Sequence, residues 1–273
     1  MKELGFNMLR KHAKIEPERF YYHCDQLGML VWQDMVNGGS PYKHWFVTYL
    51  ATLMNWNHIS FSDDEKHAGL LSRLDPEGKD EFRREITETI AFLYNHPSIV
   101  VWVPFNEGWG QFDALAACEQ IRTLDSSRLI DHASGWFDQK GGDILSLHYY
   151  FLKLKFKPES KRAAALTEFG GYSLSIPGHS CCKKVYGYKK FNSTGALTYG
   201  YIDLIRQTIL PAVKKGIGAT VYTQLSDIEE ETNGIYTYDR EICKIDPDTL
   251  RKWNRALKEA GECKTYADHP TDH

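Results

Sequence analysis

Two glutamates end apolar runs and are followed at once by glycine-bearing turns. Glu107 closes Ile99-Val-Val-Trp-Val-Pro-Phe-Asn106-Glu107-Gly108, and Glu168 closes Ala164-Ala-Leu-Thr-Glu168-Phe-Gly-Gly171. Runs of this kind read as buried strands. A carboxylate at the last residue of a parallel strand sits at the rim where barrel enzymes place their chemistry. Paired carboxyls are the equipment for hydrolysing a glycosidic bond. One protonates the departing oxygen; the other attacks the anomeric carbon or activates a water. A separation of roughly 5–5.5 Å retains the anomeric configuration, and one of roughly 6.5–9.5 Å inverts it. Either glutamate alone could equally cap the next helix. The two together, with Asn106 beside Glu107 to bind a sugar hydroxyl, favour catalysis.

Other polar residues close the remaining apolar runs. Asn7, Arg10 and His12 line the first, where Arg10 can orient a catalytic carboxylate and keep it ionised. Gln33-Asp34 closes the next, and Asp34 can take a sugar hydroxyl or cap the following loop. His132 and Trp136 follow another run. His148 and Tyr149 end the one after, with Tyr149 expected to hydrogen-bond the nucleophile. Gln224 and Asp227 end the last. Of these, Arg10, His12, Asp34, His132, Trp136, His148, Tyr149, Gln224 and Asp227 are expected at the substrate site, although each alone is as readily structural. His12, His132 and His148 fall on separate strands, and no metal or other cofactor is expected. The GxGxxG, Walker and Gly-Xaa-Ser-Xaa-Gly patterns are absent, which argues against nucleotide-dependent and serine-hydrolase chemistry.

The elements that must hold these residues alternate. Strands are expected over 6–12, 29–35, 99–107, 129–134, 144–150, 164–170 and 219–227. Helices are expected over 16–27, 77–95, 112–124, 195–215 and 247–260. Glu16-Pro17 opens the first helix and Gly28 closes it. Phe82, Ile86, Ile90 and Leu93 recur at helical spacing in the second. Strand–helix alternation predicts an α/β chain, a (β/α)8 barrel. Seven strands are counted, so the barrel is expected to lack its first. Stretches 36–65 and 172–194 read as irregular walls of the site.

The 273 residues suffice for one large domain. A net charge of −3 gives no reason to expect nucleic acid or an anionic membrane as partner. The 13% aromatic content suits stacking on pyranosides and equally suits a large aromatic core. The six cysteines form no CxxC pair, and Cys181-Cys182 is vicinal. Reduced thiols and a cytoplasmic protein are expected. No signal peptide or transmembrane run is seen.

Several segments resemble the barrel of glycoside hydrolase family 2, which includes β-galactosidases, β-glucuronidases and β-mannosidases. They are Gly5-Phe-Asn-Met-Leu-Arg10-Lys-His12, Asp25-Gln-Leu-Gly-Met-Leu-Val-Trp-Gln-Asp34, His96-Pro-Ser-Ile-Val-Val-Trp-Val-Pro-Phe-Asn106-Glu107 and Thr167-Glu168-Phe-Gly. The resemblance implies Glu107 as general acid/base, Glu168 as nucleophile and retention of configuration. It implies a retaining exo-β-glycosidase, with β-galactosides the expected substrates. Residues 1–273 are expected to be a single catalytic barrel domain, a fragment without the β-sandwich domains that precede such barrels. A non-catalytic carbohydrate-binding remnant is the alternative. The family's magnesium ligands would fall near Asp34-Met-Val-Asn-Gly, which does not support them. The Asn-Xaa-Lys signature by which β-glucuronidases bind a carboxylate is absent.

Overall fold

A computed structural model describes residues 1–43, 45–56, 59, 61–150 and 154–267; side chains at 47, 48, 55, 56 and 263–267 fall outside the description. Cys263 is among these. The chain packs as two compact units. One comprises Asn7–His148 and Glu159–Ala163; the other comprises Met1–Phe6, Tyr149–Pro158 and Ala164–His273.

The Glu107 unit is built on a parallel sheet in the order β1 (Met8–Lys11), β2 (Leu30–Asp34), β3 (Ile99–Val103), β4 (Leu129–Ile130). Its register pairs Arg10 with Trp32, Trp32 with Val101 and Trp102 with Ile130. Helices α1 (Glu18–Leu27), α3 (Pro76–Leu93) and α4 (Ala114–Leu124) supply the crossovers. Parallel strands need such connections, and the helices cover what would otherwise be open apolar faces. Accordingly β2 and β3 are almost continuously buried. Gly28 ends α1 in the left-handed region, where its N–H closes on the Cys24 and Asp25 carbonyls. Asp75 caps α3 by accepting from the Glu77 and Gly78 amides, with Pro76 at the first turn. Phe82, Ile86, Ile90 and Leu93 of α3 are buried, as their spacing predicts. Beyond β4, the Asp143 amide donates to the Ile130 carbonyl (2.8 Å) and leads into β5 (Ile144–Tyr149).

The expected irregular wall at 36–65 is partly helical. A π-helical turn at Trp45–Leu50 runs into α2 (Ala51–Trp56). Phe46 and Ala51 bury against Leu71 and Phe137, so an apolar cluster orders what reads as a loop.

In the Glu168 unit β6 (Ala163–Gly170) pairs in parallel with β9 (Ile217–Thr223), Gly170 opposite Thr223. A short parallel pair, β7 (Tyr172–Ser173) and β8 (Lys189–Lys190), frames the segment between them. The helix expected over 195–215 is divided. α5 (Thr194–Leu204) passes through a π turn at Ile205–Ile209 into α6 (Leu210–Lys214). The widening falls beside Pro211, which has no N–H for the regular ladder. The final helix, α7 (Pro247–Ala267), is anchored to the chain start by Asn254 Nδ2 donating to the Leu4 carbonyl (2.8 Å). Among the described residues no helix is long and apolar enough to cross a membrane.

Candidate active site

Glu107 is not at the end of a strand. β3 stops at Val103 because Pro104 cannot donate to the ladder. The chain continues through an isolated bridge between Asn106 and Ser134 and then turns, with Glu107 itself at φ 50° and Gly108 at φ 74°. A left-handed glutamate is uncommon and marks a position held by its surroundings. Those surroundings are explicit. The Glu107 amide donates to the Ser134 carbonyl (2.9 Å), and its Oε1 lies 2.8 Å from His148 Nδ1. The His148 side chain is 2% exposed and that of Glu107 27%, so the ring is fixed and the carboxyl is open.

A chain of hydroxyls runs away from His148. Its Nε2 meets Ser134 Oγ (3.2 Å), Ser134 Oγ meets Ser146 Oγ (3.2 Å), and Ser146 Oγ donates to Asp131 Oδ2 (3.1 Å). Asp131 is fully buried, and burial lifts its carboxyl above the usual range. The buried ring is thus held between this hydroxyl chain at Nε2 and Glu107 at Nδ1.

Arg10 does not serve as an open binding group. Its guanidinium grips the buried Asp34 through Nε (2.9 Å) and Nη2 (2.7 Å), and Nη2 also donates to Asn106 Oδ1 (2.9 Å). His12 Nδ1 takes the same Asp34 oxygen (2.7 Å). Burial pushes the Asp34 carboxyl up, but Arg10 and His12 outweigh it and hold it below its ordinary value. Asp34 is therefore a correction: it orients Arg10, and through it Asn106, instead of facing a sugar. His132 is a second correction. It is 1% exposed, its Nε2 set against Asp138 (3.1 Å) and the Gln139 amide (3.0 Å). Trp136 packs on the apolar cluster of Phe46, Leu71 and Phe137. The three histidines weighed as ligands thus have separate partners: Asp34, Asp138 and Glu107.

In the other unit Glu168 lies inside β6, two residues before Gly170. Its partner is Tyr150, whose hydroxyl donates to Glu168 Oε2 (2.5 Å) and meets Thr223 Oγ1 (3.0 Å). The assignment to Tyr149 is corrected by one residue. Tyr150 is the first residue past the end of β5 at Tyr149. Tyr150 stacks on Tyr188, ring centroids 4.0 Å apart. Gly171, at φ 63°, lets both rings close over the backbone, since a Cβ there would come within 2.3 Å of Tyr188.

Gln224 follows β9 and sends its amide to Glu231 (2.8 Å) and Asn233 (2.6 Å). Neither partner was singled out in the sequence, because both lie in a loop without periodicity. Asp227 lies in a buried ion pair. It is 4% exposed, and its Oδ1 takes Lys244 Nζ (2.6 Å) and the Gly234 amide (2.8 Å). Lys244 is fully buried and also donates to the Leu174 and Thr232 carbonyls, so the pair ties a loop down. Elsewhere on this unit His179, Asp239 and Glu241 bring ligand atoms within 4.8 Å of one another at the surface.

The chain resembles known proteins along most of its length. The profile of Glycosyl hydrolases family 2, TIM barrel domain, matches residues 1–210. A β-galactosidase of Leuconostoc mesenteroides is 26% identical over 97% of this chain, which spans 24% of that protein. A β-mannosidase B of Thermothelomyces thermophilus is 32% identical over 34% of the chain and 8% of its own length. Among solved structures, a β-D-glucuronidase of Dictyoglomus thermophilum superposes with a TM-score of 0.62 at 16% identity, covering 93% of this chain and 45% of that one. A β-galacturonidase of Eisenbergiella tayi gives 0.60 at 19%, with the same coverage.

Proposed function

Because the chain belongs to the glycosyl hydrolase family 2 TIM barrel domain family, we propose that it hydrolyses β-glycosides as a retaining exo-glycosidase. The observation that carries this reading is that each of two glutamates is hydrogen-bonded to a ring side chain: His148 for Glu107 and Tyr150 for Glu168. A phenol donating to a carboxylate favours its ionised form. That suits Glu168 as the nucleophile. A carboxyl hydrogen-bonded to a buried imidazole and open to solvent suits alternation between acid and base, and that is the role of Glu107. In the first step Glu168 attacks the anomeric carbon while Glu107 protonates the leaving oxygen. In the second, Glu107 takes a proton from water, which displaces Glu168 from the sugar. Asn106, held by Arg10, binds a hydroxyl of the same sugar. Similarity to a β-galactosidase over nearly the whole chain supports β-galactosides as substrates.

Turnover of aryl β-galactoside, glucoside, mannoside and glucuronide by the chain and by Glu168→Gln tests this. One neutral sugar should be cleaved, with turnover abolished in the variant. Glu107→Ala should slow poor leaving groups far more than activated aryl ones, because only the former need protonation. Equal loss with both would overturn the role of Glu107.

A further inference from the structure

The Glu168 unit holds a third carboxyl that the double displacement does not use. β9 leaves its sheet at Thr223, in register with Gly170 and two residues beyond Glu168. Thr223 Oγ1 meets the Tyr150 hydroxyl that serves Glu168. The next residue, Gln224, fixes Glu231 Oε2 and Asn233 Oδ1 through one amide nitrogen. Glu231 is pinned on its backbone as well. It exchanges two hydrogen bonds with Ile228 (2.9 and 3.0 Å), while the flanking Glu230 and Thr232 are tied to Tyr186 and Lys244.

This carboxyl is half-buried, and its neighbours are amides. Among the described residues no Lys, Arg or His lies within ion-pair distance of it. Burial lifts Glu231 above the usual range, the amides draw it back, and the charge of Glu168 lifts it again. Keeping an acid beside another acid without a cation is costly, and such placement is a mark of functional sites.

We propose that Glu231, positioned by Gln224 and Asn233, is a specificity-determining residue that accepts hydrogen bonds from hydroxyls of a neutral glycone and turns away uronic-acid glycosides. The proposal rests on the glycosidase reading above. Neutral sugars bring O–H donors to an acceptor-only group. A uronate brings a further negative charge to a unit where Glu168 and Glu231 already repel. Like-charge contacts of this kind are a strong source of discrimination.

Calorimetric binding of D-galactose and D-galacturonate to the full chain tests this without turnover. The wild type should bind galactose at least about tenfold more tightly than galacturonate. Glu231→Gln should close that gap several-fold, and Glu231→Asp, which keeps the charge, should preserve it. Equal affinity for both sugars in the wild type, an unchanged gap in Glu231→Gln, equal loss in both variants, or binding of neither sugar would overturn the proposal. Turnover of aryl β-galactoside and β-galacturonide separates the two readings. A binding gap without turnover of either sinks hydrolysis and keeps the subsite; turnover without a gap does the reverse.

Discussion

In the unit that carries Glu107, several acids sit against guanidinium groups, and three that burial strongly affects are Asp34 against Arg10, Asp125 against Arg128 and Asp138 against Arg162. Burial lifts each carboxyl, yet charge and hydrogen bonds hold all three below their ordinary range. In the unit that carries Glu168, two acids have softer partners. Asp227 meets Lys244, and Glu231 meets only amides. There burial wins, and both carboxyls lie above their ordinary range. Burial also lowers Lys244. Arginine cannot surrender its proton and lysine can, so the first set is locked in charge and the second can be neutralised. Asp131 obeys the same rule from inside the first unit: its hydrogen-bond partner is a serine, not a guanidinium, and it is lifted.

The sharpest way to break this comparison is Arg10→Ala. Asp34 would remain buried with His12 as its remaining partner and Asn106 would lose its anchor. A loss of about 3–5 kcal/mol is expected by denaturant unfolding. A loss below about 1 kcal/mol would mean that the guanidinium is dispensable. Next in size is Tyr150→Phe, which leaves Glu168 without its neutral donor. The turnover number should fall about 10²–10³-fold, while Tyr149→Phe stays within a few-fold; similar losses in both would return the role to residue 149.

Lys244→Met should cost less than Arg10→Ala, about 1–3 kcal/mol, because Asp227 can take up a proton. The folded state then binds that proton more tightly than the unfolded chain does. Stability must therefore fall as pH rises through the raised carboxyl value, and is retained below the ordinary one. Melts near pH 5 and pH 8 should show the smaller cost at the acid end. Equal cost at both would contradict the neutralisable pair.

Periodicity exposed most of the framework. The apolar runs at Leu30–Asp34 and Ile99–Val103 are strands, and the spacing of Phe82, Ile86, Ile90 and Leu93 is a helix. The strand end near Glu107 was misplaced because Pro104 acts through a missing donor, not through hydropathy. Glu168 and His148 stand on strands, as the apolar runs around them predict. Asp34, His132 and Asp227 look like rim groups in sequence, but burial seats each of them against a charged partner. Glu231 and Asn233 gave no signal, since loop geometry alone brings them to Gln224.

Gly135 stands at φ 84° beneath His148, and a Cβ there would lie 2.6 Å from the imidazole Cγ and Nδ1. The seat of the ring that meets Glu107 thus depends on one residue contributing no bulk at all. Every missense change at a glycine codon adds atoms, so heritable loss of this chemistry can begin at a position with nothing to titrate, donate or attack. A survey of reactive side chains alone would pass over it.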